Sequence, residues 1–438
     1  MSSSLHRLIR ELVDYVLKVA DPYTWLTSQV KALDNEIQLF SERLRVEGNV
    51  YVVGFGKASK RMAEAVYSVL GDKVAGGVVI HPGEPSRVGP IEVLKGDHPL
   101  PGRNTLDSSK RLLEFLEGVS EKDLLLVLIS GGGSALFEVP EEGVELGDIA
   151  WVSRELMKRG ADIYELNTVR KRLSRVKGGK LLRFVKASKV VSLIVSDVVG
   201  DRLDIIASGP TAPDKTSFKD AYEVLKRRGL LDQLPRHVRE VFEKGVAGVI
   251  PDTPKPGDPV FSRVKNIIFL SNQVVLEAVS KKLREAGFET LILTSMLEGE
   301  AREVGRVLAS ILRNIYTYNT PVPRPAAVLA GGETVVTVKG SGVGGRNQEL
   351  CLSLAMQIRG MPDTVVACIA TDGVDGVSPA AGAIVDGETV DRALQRGLNP
   401  LDYLENNDSY SFFKELGQSI VTGYTGTNVN DVFIALVK

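Results

Sequence analysis

The stretch densest in groups that could do chemistry runs from Gly331 to Leu350. Thr334 to Val338 is β-branched without a break, which suits an extended chain. Gly340, Gly342, Gly344 and Gly345 follow, and then Arg346-Asn347-Gln348-Glu349. The order reads as strand, glycine loop and helix, with Asn347 as the N-cap. Backbone N–H groups and the positive end of a helix dipole attract anions at such a place. An arginine fork there can hold a phosphate or a carboxylate through two parallel hydrogen bonds. Gly340, Gly342 and Gly345 also match the dinucleotide fingerprint G-x-G-x-x-G. A dinucleotide, a mononucleotide and a phosphoryl acceptor are therefore all admissible ligands, with a plain flexible linker as the bland alternative.

Two further loops have the same character. Gly54-Phe55-Gly56-Lys57-Ala58 follows the short apolar strand Val50 to Val53 and opens a helix. It lacks the Walker spacing, yet Lys57 stands at a helix start, where an anion would be met. Ser130-Gly131-Gly132-Gly133-Ser134-Ala135-Leu136 follows the fully apolar run Leu124 to Ile129. A nucleophile elbow needs glycine where Leu136 stands, so Ser134 reads as a hydrogen-bond donor. The chain has four histidines, and no triad pattern is formed. His98, in the turn-rich loop Gly96 to Gly102, is a candidate ligand contact. Asp197 and Asp201 follow the strand Val190 to Val195, and Asp372 and Asp375 follow Thr364 to Ala370. Carboxylates at strand ends are where α/β enzymes often keep metal ligands. The basic block Asn167 to Lys180 reads as a solvated helix face. Its last part, Lys177-Gly178-Gly179-Lys180, could face a polyanionic substrate.

The elements that must position these groups alternate strand and helix in both halves. Mainly parallel sheets with helices on their faces are expected. At 438 residues, two or three domains fit the length. Between about Val246 and Arg263 the composition shifts to proline and glycine without periodicity. We read it as a linker over residues 246–263, separating domains 1–245 and 264–438. Leu5, Leu8, Ile9, Leu12, Val13, Val16 and Leu17 give the N-terminal helix one apolar face, which makes it a docking helix. That start reads as neither a signal nor a transit peptide. A net charge of −1 argues against a nucleic-acid partner. No apolar run approaches the roughly 20 residues that a bilayer requires. Cys351 and Cys368 make no disulfide framework or zinc site, and both read as buried small hydrophobes. A cytoplasmic enzyme is expected.

Anion loops, the cations Lys57 and Arg346, and the carboxylates Asp197, Asp201, Asp372 and Asp375 are the parts of phosphoryl transfer. Hydride transfer would need one dinucleotide loop and few carboxylates. The chain resembles the glycerate 2-kinases of the MOFRL type, the class II glycerate kinases, almost from end to end. The resemblance rests on Gly54 to Ala58, Ser130 to Leu136, Asn167 to Leu181, Ser196 to Asp214, Gly331 to Leu350, Ala370 to Gly376 and Gly423 to Asp431. It implies ATP- and Mg²⁺-dependent phosphorylation of D-glycerate to 2-phosphoglycerate. It also implies a Rossmann-like N-terminal domain, a smaller α/β domain and an active site in the cleft between them. The lysine and arginine implicated in the family's catalysis correspond to Lys57 and Arg346. Two departures bear on substrate detail: Pro379 stands where many members carry an aspartate, and Tyr424 replaces a common proline. On this reading Gly54, Gly56, Ser130, Gly131, Gly132, Gly133, Ser134, Gly340, Gly342, Gly344 and Gly345 form phosphate loops. Asp197 holds Mg²⁺ or takes the hydroxyl proton, with Asp201 and Asp372 as further metal ligands. Neither a membrane nor nucleic acid is an expected partner, and a homodimer stays open. The rivals are an NAD-linked oxidoreductase of small hydroxy acids and a non-catalytic regulator that binds nucleotide or sugar phosphate.

Overall fold

The computed structural model describes residues 2–438. By their contacts they form two compact units. The first is Pro22–Phe269; the second joins the N-terminal residues through Asp21 to Leu270–Lys438. The helix Ser2–Ala20 thus belongs with the C-terminal residues, and buries Leu5, Ile9, Leu12 and Val16 among them. Its last carbonyl, Ala20 O, accepts the Thr427 hydroxyl at 2.8 Å.

The stretch 246–263 differs from the expected linker, because it packs within the first unit. Asp252 accepts the N–H of Phe218 at 3.0 Å and pairs with Arg172. Arg263 donates to the carbonyls of Leu182 and Val185. Proline removes regular structure from this stretch, while side chains anchor it.

The first unit opens with a small antiparallel sheet that the sequence reading did not anticipate: β1 (Val30–Ala32), β2 (Glu36–Leu39) and β3 (Glu42–Arg45). Its main sheet holds β4 (Val50–Phe55), β5 (Val74–His81), β6 (Ser86–Val88), β7 (Ile91–Lys95), β8 (Leu124–Ile129), β9 (Lys189–Val195) and β10 (Val264–Leu270). The order is β10-β9-β8-β4-β5-β7-β6. Strands β9, β8, β4, β5 and β7 pair in parallel, and β6 returns antiparallel on β7. Every residue of β8 is buried, as suits a strand covered on both faces. Register aligns the C-terminal ends: Phe55 lies opposite Ile129, and Ile129 opposite Ile194. The loops starting at Gly56, Ser130 and Ser196 therefore leave the sheet side by side. Phe55 and Phe137 stack beneath them with centroids 4.4 Å apart.

The second unit holds β11 (Glu289–Leu297), β12 (Ala326–Gly332), β13 (Thr364–Ala370), β14 (Gly382–Asp386), β15 (Ser419–Ile420) and β16 (Asp431–Val437). Their order is β11-β12-β16-β13-β14-β15. This sheet is mixed and not mainly parallel, because the last strand enters between β12 and β13 antiparallel to both. That insertion sets Asp431 opposite both Gly332 and Ala370, at the level where β12 and β13 end. The strand expected over Thr334 to Val338 is also displaced. Regular pairing stops at Gly332, and Val335 makes only an isolated bridge to Glu300. β-branched residues favour extension, but a ladder needs a second edge to pair with. No described helix is long and apolar enough to cross a membrane.

Candidate functional site

In the first unit the loops after β4, β8 and β9 meet. Gly56 has φ +133°, and a Cβ there would lie 2.2 Å from Ser130 Oγ, so no other residue fits. Ser130 is buried, and its hydroxyl accepts the Ala58 N–H at 3.0 Å. The Lys57 N–H donates to Gly131 O at 2.8 Å. Ser130 thus ties two loops together. Gly54, within β4, is also structural: a Cβ would lie 2.8 Å from Leu128 of the neighbouring strand. Gly133 is buried against Ala207. Ser134 is committed as well, since its hydroxyl bonds Ser208 Oγ at 2.8 Å, which donates to Asn167 Oδ1.

A smaller set comes together at the loop ends. A Cβ on Gly132 would lie 3.0 Å from the His98 ring and 3.2 Å from Lys57 Cγ, and one on Gly131 would lie 2.2 Å from Asp197 Oδ2. Lys57, His98 and Asp197 therefore converge on two glycines. Among the described residues, the Lys57 ammonium and the N–H groups of Gly131 and Gly132 meet no protein partner. The loop before His98 is anchored at Asp97, which accepts the Thr105 N–H at 3.1 Å and the Asn104 amide at 2.8 Å. Partial burial of the ring and the Lys57 charge keep His98 below the usual imidazole range. It is thus neutral near pH 7.

The basic block is interior scaffolding, contrary to the solvated face expected. Lys171, Arg172, Lys177 and Lys180 are all buried. Lys171 and Arg172 clasp Asp214 at 3.1 and 2.9 Å. Burial would raise the Asp214 carboxyl, but Arg172 and Lys171 outweigh it and hold it at about 2. Lys177 pairs with Glu138 at 3.1 Å, both side chains wholly buried, and burial lowers its ammonium to about 8. Lys177 also donates to Ser134 O at 2.9 Å, and Arg170 reaches the same carbonyl at 3.2 Å. These cations brace the glycine loop from behind. Their partners lie tens of residues away in sequence, so the block alone gave no sign of them.

In the second unit the Gly340 loop is not an open phosphate cradle. The N–H groups of Lys339 and Gly340 donate to Asn407 Oδ1 at 2.7 and 2.9 Å. Ser341 and Val343 donate to the Asn406 and Asp408 side chains, and Gly342 to Asn406 O. At the start of the helix Arg346–Gln357, Asp375 accepts the N–H groups of Asn347 and Gln348 at 3.0 and 2.9 Å. A carboxylate of the chain itself fills the place where a dinucleotide's pyrophosphate would sit. The cap is thus Asp375 and not Asn347. Gly344 and Gly345 keep no such partner among the described residues, and both line a cavity of about 490 Å³ beside Arg346.

Arg346 is engaged too. Its Nε and Nη2 bond the two Asp431 oxygens at 2.6 and 3.0 Å, and Nη1 meets Glu333 at 3.1 Å. Burial disfavours its charge, but Asp431 and Glu333 more than offset this and hold the guanidinium charged. Asp431 was legible only as part of the closing motif; its role appears once β16 is inserted.

The metal set is divided. Asp197 and Asp201 lie in the first unit and Asp372 in the second. Asp201 sits at φ +53° with its N–H on Val198 O. Asp372 accepts the Val374 N–H at 3.0 Å. Among the described residues no three His, Cys, Asp or Glu side chains gather as metal ligands. Of the two departures, Pro379 is exposed, and burial, with the nearby Asp372 charge, raises the Tyr424 phenol.

Parallel strand ends that present a lysine, two glycine N–H groups and a carboxylate define an α/β protein with groups suited to a small anion. Two family models match the chain: Domain of unknown function (DUF4147) over residues 8–243, and MOFRL family over residues 326–431. The chain is 44% identical over 391 residues to D-glycerate 2-kinase of Thermotoga maritima, covering 89% of this chain and 90% of that one. It is 40% identical over 427 residues to glycerate 2-kinase of Pyrococcus horikoshii, covering 97% and 96%. A crystal structure of glycerate kinase from Thermotoga maritima matches with a TM-score of 0.89 at 40% identity over the whole of both chains. The chain belongs to the glycerate 2-kinases of the MOFRL type.

Proposed function

We propose that the chain transfers the γ-phosphoryl group of ATP to the 2-hydroxyl of D-glycerate, giving 2-phosphoglycerate and ADP. The observation that supports this best is the convergence of Lys57, His98 and Asp197 on Gly131 and Gly132. Phosphoryl transfer asks for fixed positive groups around three equatorial oxygens and little covalent chemistry from the protein. Lys57 and the two glycine N–H groups supply them. The hydroxyl oxygen forms its bond to phosphorus while the bond to the β,γ-bridging oxygen breaks. Neutral His98 accepts the hydroxyl proton. Arg346 keeps its fork on Asp431 and exchanges the more exposed Glu333 for a phosphate oxygen at Nη1.

Mg²⁺ suits the carboxylates present. It keeps several waters and substrate oxygens and needs only one or two protein ligands. Asp197, beside Gly131, would hold it, with Asp201 next in the same loop. Bound there it would neutralise phosphate charge.

Purified protein with ATP, Mg²⁺ and D-glycerate, coupled to enolase, decides the reading. Phosphoenolpyruvate should form without phosphoglycerate mutase. Dependence on added mutase would mean the 3-phosphate. Turnover that needs NAD(H) and ignores ATP would mean the oxidoreductase.

A further inference from the structure

The cavity beside Arg346 has a wall that the reaction has not yet used. We propose that it binds the purine base of the nucleotide donor; this rests on the kinase reading and decides where that donor sits. The wall is the extended segment after β12. One edge of it is bonded: Val335 donates to Gly299 O and accepts from the Ala301 N–H, and the Thr337 N–H donates to the Glu300 carboxylate at 3.0 Å. In an extended chain the intervening residues turn their polar groups the other way. Those residues are Val336 and Val338, whose N–H and C=O groups meet no partner among the described residues. Both line the cavity.

The side chains around this free edge are apolar and open to solvent. Val335, Val338 and Val377 are 59%, 72% and 81% exposed. Asn407, also in the lining, donates to Glu349, which pairs with Arg302. A pocket of this size with apolar walls and a few backbone donors and acceptors is the usual form of a small-molecule site. Among the reactants only one part matches it. Glycerate and the polyphosphate chain are polar throughout. A purine has two apolar faces for the valines and an edge of donors and acceptors for the Val336 and Val338 backbone. Arg346 in the same lining fixes the end toward which the phosphates run.

Photolabelling of the wild-type protein with 8-azidoadenosine, mapped by mass spectrometry, tests this without catalysis. The label should fall within residues 333–346 or 376–407 and be displaced by ATP. Val338→Ser with Val377→Ser, both at exposed positions, should raise the KM for ATP by at least about tenfold through lost apolar contact. The KM for glycerate and kcat at saturating ATP should change by less than about twofold. Label mapping elsewhere, or an unchanged KM for ATP, overturns the assignment while leaving the kinase reading intact. Absence of any ATP-dependent turnover in the wild type defeats the kinase reading instead, and the label still reports on the cavity.

Discussion

The Arg346–Asp431 pair offers the sharpest test, because stability and catalysis separate there. Two bonds at 2.6 and 3.0 Å join side chains that are 25% and 12% exposed. Arg346→Met leaves Asp431, whose carboxyl burial already raises to about 6, without its counter-charge. Removing one partner of a buried pair costs about 3–5 kcal/mol, and the residual exposure of Arg346 favours the lower end, about 3. Arg346→Lys keeps the charge but cannot span both oxygens. It gives up one charge-assisted hydrogen bond, about 1.5–3 kcal/mol. Asp431→Asn placed in the Arg346→Met background removes the stranded charge, so the double variant should be more stable than Arg346→Met alone. Urea midpoints at constant m-value measure all three. If Arg346→Met unfolds within about 0.5 kcal/mol of wild type, a surface-sized effect, the pair does not hold the loop. Kinetics on the folded variants then read the second role. An Nη1 contact to phosphate predicts a fall in kcat/KM of about 10²–10³ for either substitution. A change below about threefold would leave Arg346 as a clamp only.

Lys57→Met should lower kcat/KM by a similar factor of about 10²–10³. It should also move the NMR titration of His98 upward, since the Lys57 charge is one cause of its depression. Because the folded state lowers this pKa, the His98 contribution to stability is complete above 6.5 and is lost as pH falls through the folded value; an unmoved titration would separate the two residues. Lys177→Met should destabilise by about 3–5 kcal/mol through the stranded Glu138. Full stability in that variant would remove the brace behind Ser134.

Much of the fold was legible because it is written in local pattern. The apolar runs Leu124 to Ile129 and Thr364 to Ala370 became β8 and β13 with those same ends. Lys57 and Asp197 stand just past strand ends, as their sequence positions imply, and register sets those ends side by side. The failures share a cause. Thr334 to Val338 has strand composition, but a strand also needs a neighbour. Lys171, Arg172, Lys177 and Lys180 have surface composition, but Glu138, Glu141 and Asp214 draw them inside. The parallel expectation for the second sheet failed because β16 comes last and its direction is free of local pattern. In each case the deciding partner is remote in sequence.

The two glycine loops show why spacing alone does not locate an anion site. Gly340 and Gly342 sit in a motif that formally matches a dinucleotide fingerprint, whereas Gly131 and Gly132 match no named motif. Glycine spacing encodes the path a backbone can take, and both loops take a close, side-chain-free path. It does not encode what the N–H groups then meet. Asn406, Asn407 and Asp408 absorb the first set. Asp375 absorbs the helix start, where the dipole would have served a phosphate. The second set opens beside Lys57, with Arg170 and Lys177 pulling the Ser134 carbonyl back from behind. An added anion gains hydrogen bonds where donors stand unused and must displace a carboxylate where they do not. That difference favours the amides after β8 over the formally matching loop as the proposed phosphate holders.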